Sequence, residues 1–351
     1  MRLSDGIRGW LRLGPRLETS AAQVTRGAVD HVVILDGTMS TLEPGRESNA
    51  GLLYKLLCEV APQKRLSLRY EAGIQWQSWT STRDVIEGRG INRQIRDAYG
   101  FIASRYRPGD RIFLFGYSRG AYAVRSLAGF IDGVGLLRPE HATVRNIRGL
   151  YRGYQAGTLS GTLRSFADRR CHAHVEIEAV GVWDTVKALG FRAPVVWRWS
   201  EAAHEFHNHN LGAAIRHGFH ALARDETREA FAPVLWTTDT GWDGDMEQVW
   251  FRGAHGDVGG QLSGFHRARP LANIPLVWML ERAERCGLPL PKGWAARFPT
   301  DPAAPSVGTW RGWGKLFVAR RRRVIGADPS ESLHPTALVH TPDLAAGSPA
   351  A

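Results

Sequence analysis

Three cysteines in 351 residues leave no basis for a disulfide framework. Cys58, Cys171 and Cys286 lie far apart, and no pair has the spacing of a metal knuckle or a redox motif. They are read as reduced thiols. Long apolar runs are also missing, since none approaches the roughly 18–20 residues a membrane span needs. The stretch from Met1 to Asp30 scatters Arg2, Asp5, Arg8, Arg12, Arg16 and Glu18 along its length, so it lacks the continuous apolar core of a secretory leader. A protein made and kept in the cytoplasm is the first expectation. There is no internal repeat, which argues against a solenoid.

Lysine is scarce, so the net charge of +11 is carried by arginine. Arg320–Arg323 form a run, and Arg164, Arg169 and Arg170 form a looser cluster. A basic surface favours anionic partners. No nucleic-acid module surrounds these arginines, so nucleic acid is not expected as a partner. The plain reading is a solvated basic face; the functional one is peripheral contact with an anionic membrane.

With 43% hydrophobic and 23% charged residues, the chain has the composition of a folded domain. His31–Asp36 reads as a strand running into Gly37-Thr38. Helical spacing follows over Asn49–Val60, Leu66–Tyr70 is a second strand, and Ile91–Tyr106 is again helical. Arg111–Phe115 is a short apolar strand, and Ala121–Ile131 the next helix. His174–Trp183 and Gln248–Arg252 are further strands, separated by a mixed helical pattern that includes Leu211–Arg224. A last helix covers Ile274–Cys286, and Phe298–Gly314 reads as loop. This alternation predicts an α/β fold: a mostly parallel central sheet with helices on both faces and helical insertions. The predicted organisation is a basic N-terminal extension (1–29), a single domain (30–340) with insertions near 132–173 and 185–247, and a disordered tail (341–351).

Gly116-Tyr117-Ser118-Arg119-Gly120 fits the pattern G-x-S-x-G. The pattern alone is weak, but here it follows the strand Ile112–Phe115 and opens the helix Ala121–Ile131. A sharp strand-to-helix elbow is what a serine nucleophile requires, with small residues two before and two after it. The helix N-terminus favours developing negative charge, and the Arg119 backbone N–H is one candidate oxyanion donor. The second is expected from Gly37 or Thr38.

A serine hydroxyl needs a base, and the base needs an orienting carboxylate. The strand Ile177–Trp183 ends at Asp184, on the edge of a parallel sheet where sites form. The strand Val249–Arg252 ends in a glycine-rich turn carrying His255. The candidate set is therefore Ser118, Asp184 and His255. Asp257 is a rival acid and His334 a rival base.

These blocks resemble a bacterial α/β-hydrolase family of uncharacterised domains that includes the catalytic domain of type VI secretion phospholipase effectors. The resemblance rests on Leu35-Asp36-Gly37-Thr38, Pro108–Ile112 running into Phe115–Tyr122, Gly181–Val186, His220–Arg228 and Trp250–Gly260. It implies an α/β-hydrolase fold and a serine hydrolase of ester bonds, phospholipids among them. On the matching positions Ser118, Asp184 and His255 are the triad. It also implies export by the signal-peptide-independent type VI route as the alternative to a cytoplasmic location. Met39 and Ser40 stand where the family often has tryptophan and asparagine, and Gly256 and Gln261 where it often has serine and glycine. No metal or organic cofactor is expected.

Other signals are weaker. Val-Val-Ile-Leu-Asp-Gly-Thr resembles the first motif of aspartate-nucleophile phosphatases, but position 34 is isoleucine where that chemistry needs aspartate. Asp36 is expected instead to cap the turn shaping the oxyanion loop. His204, His207, His209, His217 and His220 crowd one stretch, with His217 and His220 predicted on one helix face; a solvated face is preferred to a metal site. Asp225-Glu226-x-Arg228 reads as a local ion pair. Most of the tryptophans are assigned to core packing, with Trp197, Trp199, Trp310 and Trp313 as candidates for a lipid-facing rim. The alternative function is a non-catalytic module of the same fold docking anionic membrane or protein surfaces.

Overall fold

Strand β1 is Arg16–Ser20, β2 Asp30–Leu35, β3 Leu66–Glu71, β4 Arg111–Tyr117, β5 Ile177–Trp183, β6 Ile215–Ala223, β7 Asp245–Phe251 and β8 Glu331–Leu333. In the computed structural model, which describes residues 16–20, 27–73, 89–157, 159–186, 210–238, 241–310 and 319–338, they form one sheet ordered β1-β3-β2-β4-β5-β6-β7-β8. Strands β2 to β8 pair in parallel, and β1 lies antiparallel on the β3 edge. The predicted α/β fold is therefore the one found.

The described helices are α1 Asn49–Val60, α2 Arg89–Ala103, α3 Arg119–Val134, α4 Val144–Gln155, α5 Gly161–Arg170, α6 His255–Gly259 and α7 Arg269–Arg285. The central strands split their side chains between two cores because successive residues face opposite sides. Val33, Leu35, Ile112 and Leu114 join one core with residues of α2, α3 and α4. Val32, Ile34, Phe113 and Phe115 join the other, with α1 and α7. Each aliphatic side chain buried this way contributes about 1.5–3 kcal/mol, and both faces of the sheet are covered. No helix among the described residues is long and apolar enough to cross a membrane.

Two features differ from expectation. The stretch predicted as an N-terminal extension supplies β1. Strand β1 has one apolar residue, Leu17, so hydrophobic periodicity does not reveal it; backbone pairing with β3 makes it a strand. The predicted helix over Leu211–Arg224 is instead β6, so the region 185–247 is no simple insertion. Leu211, Ile215, Phe219 and Leu222 mimic helical spacing, but β6 is covered on both faces, and such strands lose their period-2 signature. The tail 341–351, Trp197, Trp199, Trp313, His204, His207 and His209 lie outside the described residues.

Candidate active site

Strand β4 runs straight into Ser118, which adopts φ 59° and ψ −122° before α3 begins at Arg119. Positive φ costs a non-glycine residue on the order of 1–3 kcal/mol and clusters at functional sites. The elbow closes because its flanks lack side chains. A Cβ on Gly120 would lie 2.1 Å from the Leu35 carbonyl oxygen, and one on Gly116 2.7 Å from Ala121 Cα. The Ser118 N–H donates to the Trp183 carbonyl at 3.0 Å, tying the elbow to the end of β5.

Asp184 is the first residue past β5, also at positive φ (42°). His255 opens α6 after the turn that leaves β7. Its Nδ1 lies 2.6 Å from Asp184 Oδ2 and its Nε2 2.9 Å from Ser118 Oγ. An ionised carboxylate only accepts, so Nδ1 carries the hydrogen and Nε2 offers its lone pair to the serine hydroxyl. All three residues are buried, with Ser118 7%, His255 5% and Asp184 0% exposed. The rings of Tyr117 and Phe231 flank the imidazole at 4.9 and 4.8 Å. The Tyr117 hydroxyl donates to the His255 carbonyl at 3.2 Å, and the His255 N–H donates to Glu226 Oε2 at 3.1 Å.

Burial by itself would raise the Asp184 carboxyl, but the Arg323 guanidinium and the His255 hydrogen bond overcome it and hold the group well below the usual carboxylate range. Arg323 donates to Oδ1 at 2.5 Å and to Oδ2 at 3.0 Å, and the Ala223 N–H donates to Oδ1 at 2.9 Å. Sequence reasoning missed this arginine. It belongs to the run 320–323, which in the sequence reads as a solvated face or a membrane contact, and nothing local distinguishes it from its neighbours.

The rival groups are engaged elsewhere. Asp257 accepts from Ser306 Oγ at 2.5 Å and from the Val307 and Ala254 N–H groups at 2.7 and 2.8 Å, so it shapes the turn. His334 stacks on Phe251 at 4.8 Å, with Nδ1 2.7 Å from Thr336 Oγ1.

The Asp225–Arg228 block braces the histidine turn. Asp225 Oδ2 accepts from the Gly253 N–H at 2.7 Å, and Glu226 pairs with Arg228 at 2.6 Å while accepting the His255 N–H. Burial opposes ionisation of Glu226, yet the Arg228 hydrogen bond and charge win and its carboxyl is lowered.

Of the expected oxyanion donors, Gly37 is excluded: its N–H donates to Asp36 Oδ1 at 2.7 Å. Arg119 heads α3, where the first helical N–H groups have no intrahelical acceptor. Thr38 belongs to the same loop, and its carbonyl accepts from the Gln261 side chain at 2.9 Å. Asp36 accepts from Ser40 Oγ, Ser48 Oγ and the Tyr70 hydroxyl at 2.9, 2.5 and 2.7 Å, fixing this loop to α1 and β3.

His217 and His220 do not share a face. Three residues apart on β6, they point to opposite sides: His217 is half-buried and His220 fully buried. His220 Nε2 accepts from the Thr185 N–H at 3.1 Å, and burial pushes the imidazole down to about 3, so it is neutral. No group of three or more potential metal ligands occurs among the described residues. Trp183, Trp236 and Trp250 are core residues, whereas Trp310 is 59% exposed.

Comparison with known proteins supplies the context. The profile of the family described as T6SS, Phospholipase effector Tle1-like, catalytic domain, matches residues 30–282. Over 232 residues the chain is 25% identical to the uncharacterized protein YEL023C of Saccharomyces cerevisiae, a match covering 59% of this chain and 32% of the yeast protein. The chain thus spans about a third of that relative's length. Among solved structures, an uncharacterized protein from Pseudomonas aeruginosa aligns with TM-score 0.47 and 16% identity, over 78% of this chain and 49% of its own. A Tle1 effector bound to the VgrG spike of the type 6 secretion system aligns with TM-score 0.37 and 20% identity, over 68% and 52%. Esterase 2 of Thermogutta terrifontis, in its apo form, aligns with TM-score 0.41 and 13% identity, over 79% and 91%. The profile match takes in β2 to β7 and the whole Ser118–Asp184–His255 cluster, and the chain belongs to the Tle1-like phospholipase effector catalytic-domain family.

Proposed function

We propose that this protein is a serine hydrolase that cleaves carboxylic ester bonds of lipids, phospholipids being the favoured class. The observation that carries the reading is the continuous path Ser118 Oγ, His255 Nε2, His255 Nδ1, Asp184 Oδ2, with links of 2.9 and 2.6 Å. Ser118 attacks the acyl carbonyl carbon as His255 takes its proton. The tetrahedral oxyanion is met by the backbone N–H groups of Arg119 and Thr38. His255 then protonates the departing alcohol, leaving an acyl-serine. Water, deprotonated by the same imidazole, attacks that ester, and the serine regains its proton as the acid leaves. Asp184 stays ionised throughout, holding the imidazole in one tautomer and stabilising its protonated form.

Family membership supports the lipid ester as substrate class and the type VI route as the means of export. Contact with an anionic lipid surface is proposed for the exposed Arg321 and Arg322, with the exposed Trp310, Val324 and Ile325 nearby in the chain. The test is a panel of short-chain acyl esters and phospholipid vesicles with wild type and Ser118→Ala, plus labelling by a fluorophosphonate. Ester cleavage lost in the variant, with label on Ser118, is the expected result. Undiminished cleavage by Ser118→Ala refutes the mechanism. Salt-sensitive vesicle binding without cleavage of any ester favours a docking module instead.

A further inference from the structure

The run Arg320–Arg323 divides between surface and interior. Arg321 and Arg322 are exposed, and the Arg320 guanidinium lies over the Trp310 ring at 3.9 Å. Arg323 turns inward, its side chain only 3% exposed. Besides both Asp184 oxygens, it donates to the Ala223 carbonyl at 2.8 Å and the Phe231 carbonyl at 2.6 Å. Backbone bonds seat the segment that carries it: the Arg321 N–H donates to the Thr227 carbonyl at 2.7 Å, and the Glu229 N–H to the Ala319 carbonyl at 3.0 Å. This segment lies beyond residue 282, where the family match ends.

We propose that Arg323 is a positioning residue for the site, its planar fork clamping the Asp184 carboxylate with Oδ2 turned to His255 Nδ1 and cancelling that carboxylate's charge. The proposal rests on the reading of Ser118, His255 and Asp184 as a proton-transfer path. Without Arg323 the carboxylate is held by one bond to each oxygen, the Ala223 N–H on Oδ1 and the imidazole on Oδ2; two parallel donors from a guanidinium add a planar clamp that fixes its rotation. A buried carboxylate paired only with the imidazole would stabilise the imidazolium strongly and slow the base's release. With Arg323 in place the carboxylate is shared between the guanidinium and the imidazolium that forms when His255 takes the serine proton. Near the pair stand Tyr117 from β4, His220 from β6 with Arg125 of α3 beside it, and the Glu226–Arg228 pair that follows β6. Glu226 and Arg228 offset each other, His220 is neutral, and Asp257 is engaged by Ser306 and Val307. Arg323 is the cation in direct contact with Asp184.

The test uses full-length wild type, Arg323→Gln and Arg323→Lys with histidines labelled at Cε1. The His255 signal is identified by its loss in His255→Asn and followed by NMR from pH 4 to 9. Removing the charge leaves Asp184 as the net charge beside the imidazole, so protons are held more readily. The His255 midpoint is expected to move upward in Arg323→Gln and not in Arg323→Lys. Arg323→Lys keeps the charge but loses the fork, so its kcat is expected to fall about 10- to 100-fold. An unmoved midpoint in folded Arg323→Gln, or equal midpoint shifts in both variants, overturns the proposal. Should Arg323→Gln not fold, undiminished kcat in Arg323→Lys overturns it. The NMR readout needs no turnover: a shifted midpoint in a chain inert to every ester sinks the hydrolase reading and leaves the Arg323 coupling standing.

Discussion

Replacing Ser118 by alanine and by glycine separates the chemistry of the elbow from its strain. Both variants lose the hydroxyl and with it the hydrogen bond to His255 Nε2. They differ only in the Cβ, which a backbone at φ 59°, ψ −122° tolerates poorly. Strain of this kind is worth about 1–3 kcal/mol. Glycine relieves it but loses about 0.5–1 kcal/mol more than alanine in chain entropy on folding. Ser118→Gly should therefore be more stable than Ser118→Ala by about 1 kcal/mol. A chain of 351 residues has an unfolding entropy near 0.7 kcal/mol/K, so the difference in Tm is about 1–2 °C. Differential scanning calorimetry at matched concentration and scan rate resolves this. Both variants should be without esterase activity. If Ser118→Ala melts at or above Ser118→Gly, the elbow is not strained and the argument from its backbone fails.

Two further outcomes follow from the buried charges. Asp184→Asn should lower kcat for ester cleavage about 10⁴-fold by disturbing the imidazole tautomer. It should also lower stability by about 3–5 kcal/mol, because Arg323 is left buried without its carboxylate; urea denaturation beside the equally inactive Ser118→Ala checks this, and equal midpoints would count against the ion pair. His220 is lowered to about 3 when folded against an ordinary 6.5, so between those values the unfolded chain takes up a proton that the native one refuses. Stability is intact above pH 6.5 and is lost as pH falls towards 3, at about 1.4 kcal/mol per pH unit from this group. His220→Gln should flatten the slope of stability against pH between 6 and 4, and an unchanged slope would mean that His220 titrates freely.

The elbow was legible in the sequence because its requirements are local. Ile112–Phe115 is apolar on both faces, and Gly116 and Gly120 sit where the backbone of a strand-to-helix turn leaves no room for a Cβ. Asp184 and His255 were legible as residues just past strands, since sites in parallel sheets form at that edge. Strand β6 was not legible: its hydrophobic spacing is compatible with a helix, and only its neighbours on both sides make it a strand. Arg323 was not legible because its partner is 139 residues away. Four consecutive arginines look alike until the fold turns one of them inwards. The Gly37 N–H was misassigned for a similar reason, since only the folded loop shows the Asp36 carboxylate taking it.

The misread strand decides whether the site can exist. Tyr117 and Trp183 are register partners at the ends of β4 and β5, so Ser118 and Asp184 are the first residues beyond neighbouring parallel strands. The ladder continues one step through them, with the Ser118 N–H on the Trp183 carbonyl and the Asp184 N–H on the Ala221 carbonyl, before both turn to positive φ. His255 follows β7, which is two strand spacings from β5, about 10 Å. The imidazole reaches back over the end of β6, and β6 and its continuation hold both partners in place. Ala223 gives its N–H to Asp184 Oδ1, and Glu226 accepts the His255 N–H. A helix over 211–224 would remove those anchors and let β7 pair directly with β5, bringing the histidine turn one strand too close. The strand that carries none of the three proposed catalytic groups thus sets the distance between two of them.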